Sequence, residues 1–303
     1  MILTNDNFKS GFVSIIGRPN VGKSTFLNKV IGSKIAIMSN KPQTTRNKIL
    51  GIYTDEESQI IFIDTPGIHK PVKELGNRLN DAAYSSFKES DIILFMVAAD
   101  EELGTGDKMI IEKLKNVKAQ VYLLINKVDL LENKDDIKEI ILSYATQYNF
   151  KEVFPISAKE GNNIDKLISN LKENLDFGPK YYPDDMLTDH PERFIISEFI
   201  REKCIELTTE EVPHSIACII DSIKDMEDYI EIYATIYVER KSQKGIIIGK
   251  DGKLMKEIKR RAKKDIKKLL GTDIDLNLWV KIKKDWTERP QSLEELGYEK
   301  DTY

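Results

Sequence analysis

The chain has 303 residues, a formal net charge of −4, and 41% hydrophobic and 32% charged residues. At roughly 100 to 200 residues per domain, this length indicates about two domains and excludes a single small module. The longest apolar runs, such as 92–99 and 121–125, are far shorter than the roughly 20 residues of a membrane-spanning helix. Residues 1–10 carry Asn, Asp and Lys and lack the basic head and apolar core of a secretion signal, so we expect a cytoplasmic protein. The two cysteines, Cys204 and Cys218, match no metal or redox spacing, and we expect both to be reduced and buried.

In the first half of the chain, short β-branched runs alternate with segments of helix length. The predicted strands are 12–16, 59–63, 92–97, 121–125 and 153–156, and the predicted helices are 23–31, 108–116, 135–148 and 163–175. Strands that are apolar on both faces and separated by helices predict a parallel, doubly wound α/β sheet. Ligands of such sheets bind beyond the carboxyl ends of the strands, so motifs at those positions carry the most weight.

The first predicted strand is followed by a sequence that matches G-x-x-x-x-G-K-[ST] and opens a helix. Glycines let several backbone N–H groups converge on phosphate oxygens at the positive end of the helix dipole. Lys23 adds a cation near the β- and γ-phosphates, and the Ser24 hydroxyl is a candidate Mg²⁺ ligand. The predicted phosphate-binding residues are Gly17, Arg18, Pro19, Asn20, Val21, Gly22, Lys23, Ser24 and Thr25.

A second motif, Asp64-Thr65-Pro66-Gly67, follows the strand predicted at 59–63. An acid at the end of a strand beside the phosphate loop can hold Mg²⁺ through water, and the Gly67 N–H can bond a γ-phosphate oxygen. Loss of that phosphate would release the following loop, so this segment is a candidate switch. We include Asp64, Thr65, Pro66, Gly67 and the next residue, Ile68, in the predicted nucleotide site.

The identity of the base is predicted from two motifs that follow later strands. Asn126, Lys127, Val128 and Asp129 come directly after the strand at 121–125. The Asp129 carboxylate can accept hydrogen bonds from guanine N1–H and the exocyclic amine, which adenine does not offer in that pattern. Lys127 can lie along the base plane and Asn126 can bridge to the phosphate loop. The backbone of Ser157, Ala158 and Lys159 can donate an N–H to guanine O6, so GTP is predicted as the nucleotide.

Residues 176–192 break the alternation of strands and helices with one glycine and three prolines. This change predicts a boundary near residue 180, between a nucleotide-binding domain at 1–180 and a second domain at 181–303. The second domain is predicted to contain a helix at 193–209, strands at 215–224 and 229–239, a basic helix ending near 270, and a last strand at 275–283. This pattern indicates a small α+β domain.

Charge is concentrated in one part of the second domain. Residues 240–270 contain thirteen Lys and Arg against three Asp and Glu, a net charge of +10, so the rest of the chain carries −14. Gly249-Lys250-Asp251-Gly252 forms a GxxG motif before the basic helix, and KH modules use such a loop to clamp about four single-stranded nucleotides. Apolar residues recur at every fourth position of the helix, at Leu254, Ile258, Ala262, Ile266 and Leu270, so the basic side chains must lie on its remaining surface.

The predicted RNA contacts are Ile246, Ile248, Gly249, Lys250, Asp251, Gly252, Lys253, Lys256 and Arg260. The isoleucines at 246–248 are equally good candidates for the hydrophobic core. A basic helix that begins at the GxxG loop would attract phosphates in a salt-dependent manner.

The nucleotide motifs, with Gln43-Thr44-Thr45-Arg46 between the first two, and the GxxG motif of the basic domain resemble the Era family over nearly the full chain. The resemblance implies a P-loop GTPase domain followed by a type II KH domain, and a hydrolase that converts GTP to GDP with Mg²⁺. Thr45, or with less support Thr44, would be the mobile-loop threonine that closes on the metal and the γ-phosphate. The implied Mg²⁺ ligands are Ser24, Thr45 and Asp64, and the implied catalytic contacts are Lys23, Thr45 and Gly67.

The same resemblance implies the partners. They are the single-stranded 3′ end of small-subunit ribosomal RNA and the small ribosomal subunit, whose maturation the protein would assist. Asn20 also occurs in relatives that use potassium, so K⁺ is an additional candidate cation.

One residue departs from the usual pattern of switch GTPases. Many of them place a glutamine after the D-x-x-G motif to orient water, whereas this chain has Ile68. An aliphatic side chain cannot bond water, so hydrolysis must depend on the backbone, Mg²⁺ and the loop around Thr45. We therefore expect slow intrinsic hydrolysis that RNA or ribosomal partners raise, and we expect His69 to lie on a solvated loop.

Two alternatives remain open at this point. The basic helix could engage an anionic membrane surface, which would place the protein peripherally on the cytoplasmic face. The protein could also be a structural factor on the ribosome that has no useful GTP turnover.

Overall fold

The computed structural model describes residues 7–39, 41, 44–71, 73–133 and 135–298. The chain divides into two compact units. Unit 1 comprises Met1–Ala36, Thr45–Lys70 and Leu79–Asp189, and unit 2 comprises Ile37–Thr44, Pro71–Arg78 and His190–Tyr303. These units are defined by contacts and not by independent folding, so the predicted division near residue 180 stays a prediction.

Unit 1 is built on a six-stranded sheet. Its strands are β1 (Lys9–Ile16), β2 (Ile49–Thr54), β3 (Ser58–Asp64), β4 (Ile92–Ala98), β5 (Gln120–Asn126) and β6 (Glu152–Pro155), in the order β2-β3-β1-β4-β5-β6. The helices along this part of the chain are α1 (Lys23–Ile31), α2 (Glu74–Glu89), α3 (Thr105–Leu114), α4 (Asp136–Ala145) and α5 (Ile164–Asn174). Every residue of β3 and β4 is buried, as expected for strands covered on both faces.

The sheet is mixed, which corrects the prediction of a wholly parallel sheet. β1 pairs in parallel with β3 and β4, and β4-β5-β6 continue in parallel, but β2 is antiparallel to β3. The sequence patterns missed β2 because Gly51 interrupts its apolar run. That glycine is needed for packing, since a Cβ there would lie 2.4 Å from Leu27 Cδ1 of α1.

Helix α2 was also missing from the predicted elements. Leu75, Leu79, Ala83 and Phe87 are buried at a spacing of four residues, which is the apolar stripe of a helix. Glycine, asparagine and serine between them have low helix propensity and weaken the signal.

Unit 2 contains a three-stranded sheet and the whole basic segment 240–270. The strands are β7 (Ala217–Asp225), β8 (Tyr229–Val238) and β9 (Asp273–Ile282), and the helices are α6 (Glu192–Leu207), α7 (Lys241–Ile248), α8 (Lys253–Leu270) and α9 (Pro290–Glu295). β7 is antiparallel to β8, and β8 is parallel to β9. The order α6-β7-β8-α7-α8-β9 is that of a type II KH domain, which confirms the predicted fold; α7 itself was not predicted.

The core of unit 2 joins its helices to its sheet. Ile258, Ala262 and Ile266 of α8 are buried in it, and Leu254 and Leu270 pack against it, so the predicted stripe faces the core. Both cysteines are free; Cys204 is buried, whereas Cys218 is only partly buried. Burial raises the pKa of the Cys204 thiol to about 12, so this thiol is protonated at neutral pH. Within the described residues, none of the helices combines the length and apolar character needed to cross a bilayer.

Candidate functional site

The phosphate loop joins β1 to α1 in a backbone conformation that glycine and asparagine favour. Gly17, Asn20 and Gly22 have φ angles of 153°, 66° and 103°. A Cβ at Gly17 would lie 2.3 Å from the carbonyl oxygen of Met96, and one at Gly22 would lie 2.2 Å from Nδ2 of Asn126. The loop therefore needs glycine at these two positions, because neighbouring strand ends approach its backbone closely.

Lys23 is buried at the start of α1, with its ammonium group inside the loop. Its Nζ donates hydrogen bonds to the carbonyl oxygens of Gly17, at 3.2 Å, and Arg18, at 2.9 Å. Burial lowers the pKa of Lys23 to about 8, and the nearby Asp64 carboxylate opposes that shift. A phosphate group in the loop would replace the carbonyl partners with a negative charge and favour the charged lysine.

The partly buried Ser24 and the buried Thr45 and Asp64 form a cluster of oxygen atoms. Ser24 Oγ donates to Asp64 Oδ2 at 2.7 Å and lies 2.9 Å from Thr45 Oγ1. Asp64 Oδ1 is buried and has no hydrogen-bond partner in the described structure. Burial raises the pKa of Asp64 to about 6, although Lys23 and Ser24 oppose that shift. Two hydroxyls and a carboxylate with an unsatisfied oxygen are the hard ligands that Mg²⁺ prefers, so these residues fit that metal.

The structure distinguishes between the two candidate threonines. Thr45 Oγ1 lies in the oxygen cluster, whereas Thr44 Oγ1 donates to the carbonyl oxygen of Lys41 at 2.6 Å. The hydroxyl near Ser24 and Asp64 is therefore that of Thr45. Pro42 and Gln43, which precede the two threonines, lie outside the described residues.

The D-x-x-G segment lies against the phosphate loop. A Cβ at Gly67 would lie 2.7 Å from the backbone nitrogen of Pro19, so only glycine allows this approach. Thr65 Oγ1 donates to the carbonyl oxygen of Ile15 at 2.9 Å, and Pro66 is buried beside it. The Ile68 N–H donates to the carbonyl oxygen of Gly17 at 3.1 Å. The Ile68 side chain, in contrast, is fully buried in the hydrophobic core. Only the backbone of Ile68 is therefore near the predicted site.

His69 lies on a loop and is partly exposed, and both its ring and its backbone have hydrogen-bond partners. Its Nδ1 lies 2.9 Å from the Gly67 carbonyl oxygen. The side chain of Asn80 accepts from the His69 N–H at 3.3 Å and donates to the His69 carbonyl oxygen at 2.7 Å. This anchoring holds the end of the D-x-x-G segment against α2.

The base motif begins at Asn126, the last residue of β5, and this residue connects the predicted base site with the phosphate loop. Asn126 Nδ2 donates to the Val21 carbonyl oxygen at 2.7 Å, and Asn126 Oδ1 accepts from the Ala158 N–H at 2.9 Å. Asp129 is exposed, and one of its carboxylate oxygens accepts from Ser157 Oγ at 2.6 Å. A fixed and exposed carboxylate of this kind can accept further hydrogen bonds from a guanine edge.

The other residues of the two base motifs have partners other than Asp129. Lys127 has a φ of 67° and pairs with Asp100 at 3.2 Å. The Val128 N–H donates to the Ile156 carbonyl oxygen at 3.3 Å. Lys159 is exposed beside Glu160, at 3.4 Å, and points its charge toward solvent.

The partners of Arg18 were not among the predicted site residues. Its Nε donates to Oδ1 of the fully buried Asp107 at 2.9 Å, and its guanidinium pairs with Glu101 at 2.7 Å. Asp107 Oδ2 also accepts from the Gly104 N–H at 2.9 Å. The Asp107 carboxylate therefore both caps α3 and holds Arg18. An aspartate in the first turn of a helix is typical of capping, and that was the only sequence signal available.

The GxxG motif forms a tight turn between α7 and α8. Gly249, Asp251 and Gly252 have φ angles of 73°, 54° and 71°. A Cβ at Gly249 would lie 2.7 Å from Leu254 Cβ, so the first glycine is required for packing as well as for its conformation. Lys250, Asp251, Lys253 and Lys256 are exposed around this turn.

The remaining predicted RNA contacts differ in exposure. Ile246 is 46% exposed, Ile248 packs partly against the core, and Ile247 is fully buried. Arg260 bonds Glu257 through two nitrogens, at 2.8 and 2.7 Å, and Glu257 also accepts from Arg261. These hydrogen bonds, first of all that from Arg260, lower the pKa of Glu257 to about 2. Glu257 therefore stays charged and offsets part of the positive charge at this position of α8.

Two family models match separate parts of the chain. Residues 12–127 match the sequence model of a family described as "50S ribosome-binding GTPase", and residues 211–287 match the model of the KH domain. The chain is also similar to two solved structures of Era, each with 40% sequence identity and a TM-score of 0.93 over 96% of this chain.

The first of these structures is Era in complex with MgGDPNP and nucleotides 1506–1542 of 16S ribosomal RNA, and the match covers 99% of that chain. The second is a variant of Aquifex aeolicus Era bound to GDP and AlF4⁻, and the match covers 100% of that chain. Because the identity exceeds 30% over nearly the whole length of both proteins, this chain belongs to the Era family of GTPases.

Proposed function

We propose that this protein is a GTP-hydrolysing switch that binds the single-stranded 3′ end of small-subunit ribosomal RNA and acts in the maturation of that subunit. The main support is its similarity, at 40% identity over 96% of the chain, to Era in complex with a GTP analogue and 16S ribosomal RNA. The match to the family described by the 50S subunit covers only residues 12–127. The match to the 16S complex includes the KH domain, so we favour the small subunit.

In this proposal the side chains around the phosphate loop bind and orient GTP. Lys23 and the N–H groups of the loop would hold the phosphates, and the Gly67 N–H would contact the γ-phosphate. Ser24, Thr45 and Asp64 would hold Mg²⁺, which neutralises phosphate charge when it is bound. Asp129 would accept from the guanine edge while Ser157 keeps its carboxylate in place.

Water would be positioned without a glutamine side chain after Gly67. Ile68 is buried in the core, so its side chain cannot take that role in this arrangement. Positioning by the backbone and by Thr45 alone predicts slow hydrolysis, which RNA or the small subunit would raise.

The test is single-turnover GTP hydrolysis by the full chain, with and without an RNA of the 16S 3′-end sequence. We expect slow hydrolysis alone, acceleration by that RNA, and no acceleration by a scrambled RNA of the same length. Lys23→Ala serves as the inactive control. If neither RNA nor the small subunit produces turnover above that control, the protein is a ribosome-binding factor without useful hydrolysis and our proposal is wrong.

We propose the GxxG turn and the start of α8 as the RNA-binding surface, and residues 1–180 and 181–303 as the two functional domains. Membrane contact is less well supported, because the apolar stripe of α8 is buried in the core and leaves only its charges for anionic lipid. Co-sedimentation of the full chain with anionic vesicles tests this alternative. A cytoplasmic location agrees with a ribosomal RNA partner.

Potassium is a further proposed cation, on the basis of Asn20 in the phosphate loop. Asn20 has a φ of 66°, so the backbone there is turned out of the ordinary helical and extended conformations. Hydrolysis rates are to be compared in KCl and NaCl at equal ionic strength. Equal rates would exclude a role for K⁺.

A further inference from the structure

The segment just before Thr45 is bound to helix α6. Residues 37–44 belong to unit 2, and the side chain of Ile37 is fully buried in the hydrophobic core of that unit. The Met38 N–H donates to Oε1 of Glu202 at 2.7 Å. Lys41 Nζ donates to the carbonyl oxygen of Thr208, at the end of α6. The segment is thus attached at several points along one helix.

The last of these attachments is made by Arg201. Its guanidinium is fully buried. It donates hydrogen bonds to the Glu198 carboxylate from Nε, at 2.7 Å, and from Nη2, at 2.6 Å. Nη2 also donates to the carbonyl oxygen of Thr44. Glu198, Arg201 and Glu202 are spaced i, i+3 and i+4, so they share one side of α6.

The Thr44 carbonyl belongs to the same peptide group as the nitrogen of Thr45. That group is planar and rigid, so fixing its oxygen restricts where the next residue can go. The hydroxyl of Thr45 lies 2.9 Å from Ser24 Oγ, which in turn donates to Asp64. Arg201 therefore donates a hydrogen bond to the residue that directly precedes Thr45, one of the predicted metal ligands.

We infer that Arg201 is a positioning residue for GTP hydrolysis, which holds the Thr44 carbonyl so that the Thr45 hydroxyl stays with Ser24 and Asp64. This inference rests on the proposed role of Thr45 in GTP hydrolysis. Glu198 aims the guanidinium and compensates its charge, since a buried cation without a partner would be strongly unfavourable.

The test uses Arg201→Lys in the full chain. Lysine keeps the positive charge beside Glu198, but its single nitrogen cannot reproduce the planar set of donors that serves Glu198 and Thr44 together. Arg193→Lys is the matched control. Arg193 lies on the same helix and donates to a carbonyl oxygen, that of Ile220 at 2.9 Å, which is in β7 and not in the segment 37–44.

The first measurement is hydrogen exchange of the nucleotide-free proteins, followed by mass spectrometry. Arg201→Lys is expected to speed exchange in peptides that cover residues 37–46, whereas Arg193→Lys leaves them unchanged. Equal exchange of these peptides in both variants and in the wild type would overturn the inference.

The second measurement is single-turnover GTP hydrolysis beside GDP binding. Arg201→Lys is expected to lower the hydrolysis rate roughly tenfold, because a displaced Thr45 hydroxyl would no longer contact the metal and the γ-phosphate correctly. The affinity for GDP is expected to change less than about twofold. GDP lacks the γ-phosphate that Thr45 would contact. If GDP affinity and thermal stability fall together with the rate, Arg201 is only structural and the inference is wrong.

A double-mutant cycle with Thr45→Ala separates this inference from the proposed function. If Arg201 acts through Thr45, Arg201→Lys has no further effect on the rate in the Thr45→Ala background. A full additional tenfold loss in that background contradicts the inference alone. A Thr45→Ala protein that hydrolyses GTP at the wild-type rate contradicts the proposed role of Thr45 on which the inference rests.

Discussion

Asp129 is the residue on which the proposed choice of guanine depends. Its carboxylate is exposed, and Ser157 Oγ donates to one of its oxygens at 2.6 Å. Asparagine at this position would replace an acceptor with an amide donor, which suits the C2 carbonyl of xanthine and not the amine of guanine.

We therefore predict that Asp129→Asn lowers the affinity for GTP by about 100-fold or more, from the loss of charged hydrogen bonds, and raises that for XTP. Equilibrium binding of both nucleotides measures the effect. Asp135→Asn, which removes another exposed carboxylate of the same unit, should leave both affinities unchanged. Wild-type affinity of Asp129→Asn for GTP would rule out this assignment of the base site.

Asp64 predicts a pH dependence of metal binding. Burial raises the pKa of this carboxyl from 3.8 to about 6 in the metal-free protein. The native state therefore binds the proton more tightly than the unfolded chain, so this group lowers the free energy of unfolding as pH rises from about 4 to about 6. The carboxylate needed for Mg²⁺ forms only at the upper end of this window, and protons compete with the metal below it.

We expect the Mg²⁺ affinity of the GDP complex to be lower at pH 5 than at pH 7, by about tenfold or less for one competing proton. Titration calorimetry at the two pH values measures the difference. Asp64→Asn should bind Mg²⁺ weakly at both values and show little pH dependence. An unchanged pH dependence in that variant would assign the effect to another group.

At the scale of single elements, α8 has one apolar face that is buried and a charged surface that is exposed. Its apolar stripe is buried, so its position in the KH domain is fixed by packing, while its charged residues remain on the surface. Glu257 compensates Arg260 and Arg261, which leaves Lys250 and Lys253 near the GxxG turn as the better candidates for phosphate contacts. The ion pairs of α8 thus indicate which lysines near the GxxG turn have charges that are left for phosphate binding.

We predict that Lys250→Gln with Lys253→Gln weakens binding of the 16S 3′-end RNA about tenfold and reduces the salt dependence of log K by roughly 1.4, or about 0.7 per phosphate contact. Filter binding or fluorescence anisotropy over a range of salt concentrations measures both effects. Lys267→Gln with Lys268→Gln removes the same charge from the far end of α8 and should change affinity less than about twofold. Equal losses in the two pairs would indicate general attraction and not a defined contact.

At the scale of the whole molecule, two hydrophobic cores predict two unfolding transitions. Each unit has its own cluster of buried residues, and proteins of this kind often depart from two-state unfolding. MgGDP at about 100 times its Kd should stabilise unit 1 by about 2.7 kcal/mol and shift mainly one transition. The 16S RNA should shift mainly the other.

Differential scanning calorimetry of the full chain, with each ligand separately, measures these shifts. The segments 37–44 and 71–78 belong to unit 2, so the transitions are expected to overlap. A single transition that both ligands shift equally would show that the two units unfold as one.

The sequence by itself determined the fold class, the nucleotide motifs and the position of the GxxG turn that we propose to bind RNA. The phosphate loop, Asp129 and the GxxG motif have fixed local spacings, and the buried stripe of α8 follows the helical period. These signals are local, so no knowledge of distant contacts is needed to read them. The local charge count likewise located the basic helix, which the net charge of −4 conceals.

Only the tertiary structure decided which polar residues come together. It places the Thr45 hydroxyl with Ser24, buries the Ile68 side chain in the core, joins Arg18 to Asp107, and attaches the segment before Thr45 to Arg201. The partners in these contacts lie 21, 89 and 157 positions apart for Ser24–Thr45, Arg18–Asp107 and Thr44–Arg201. Loop residues without a repeating pattern carry no signal for such pairings, because the packing of the surrounding elements selects them.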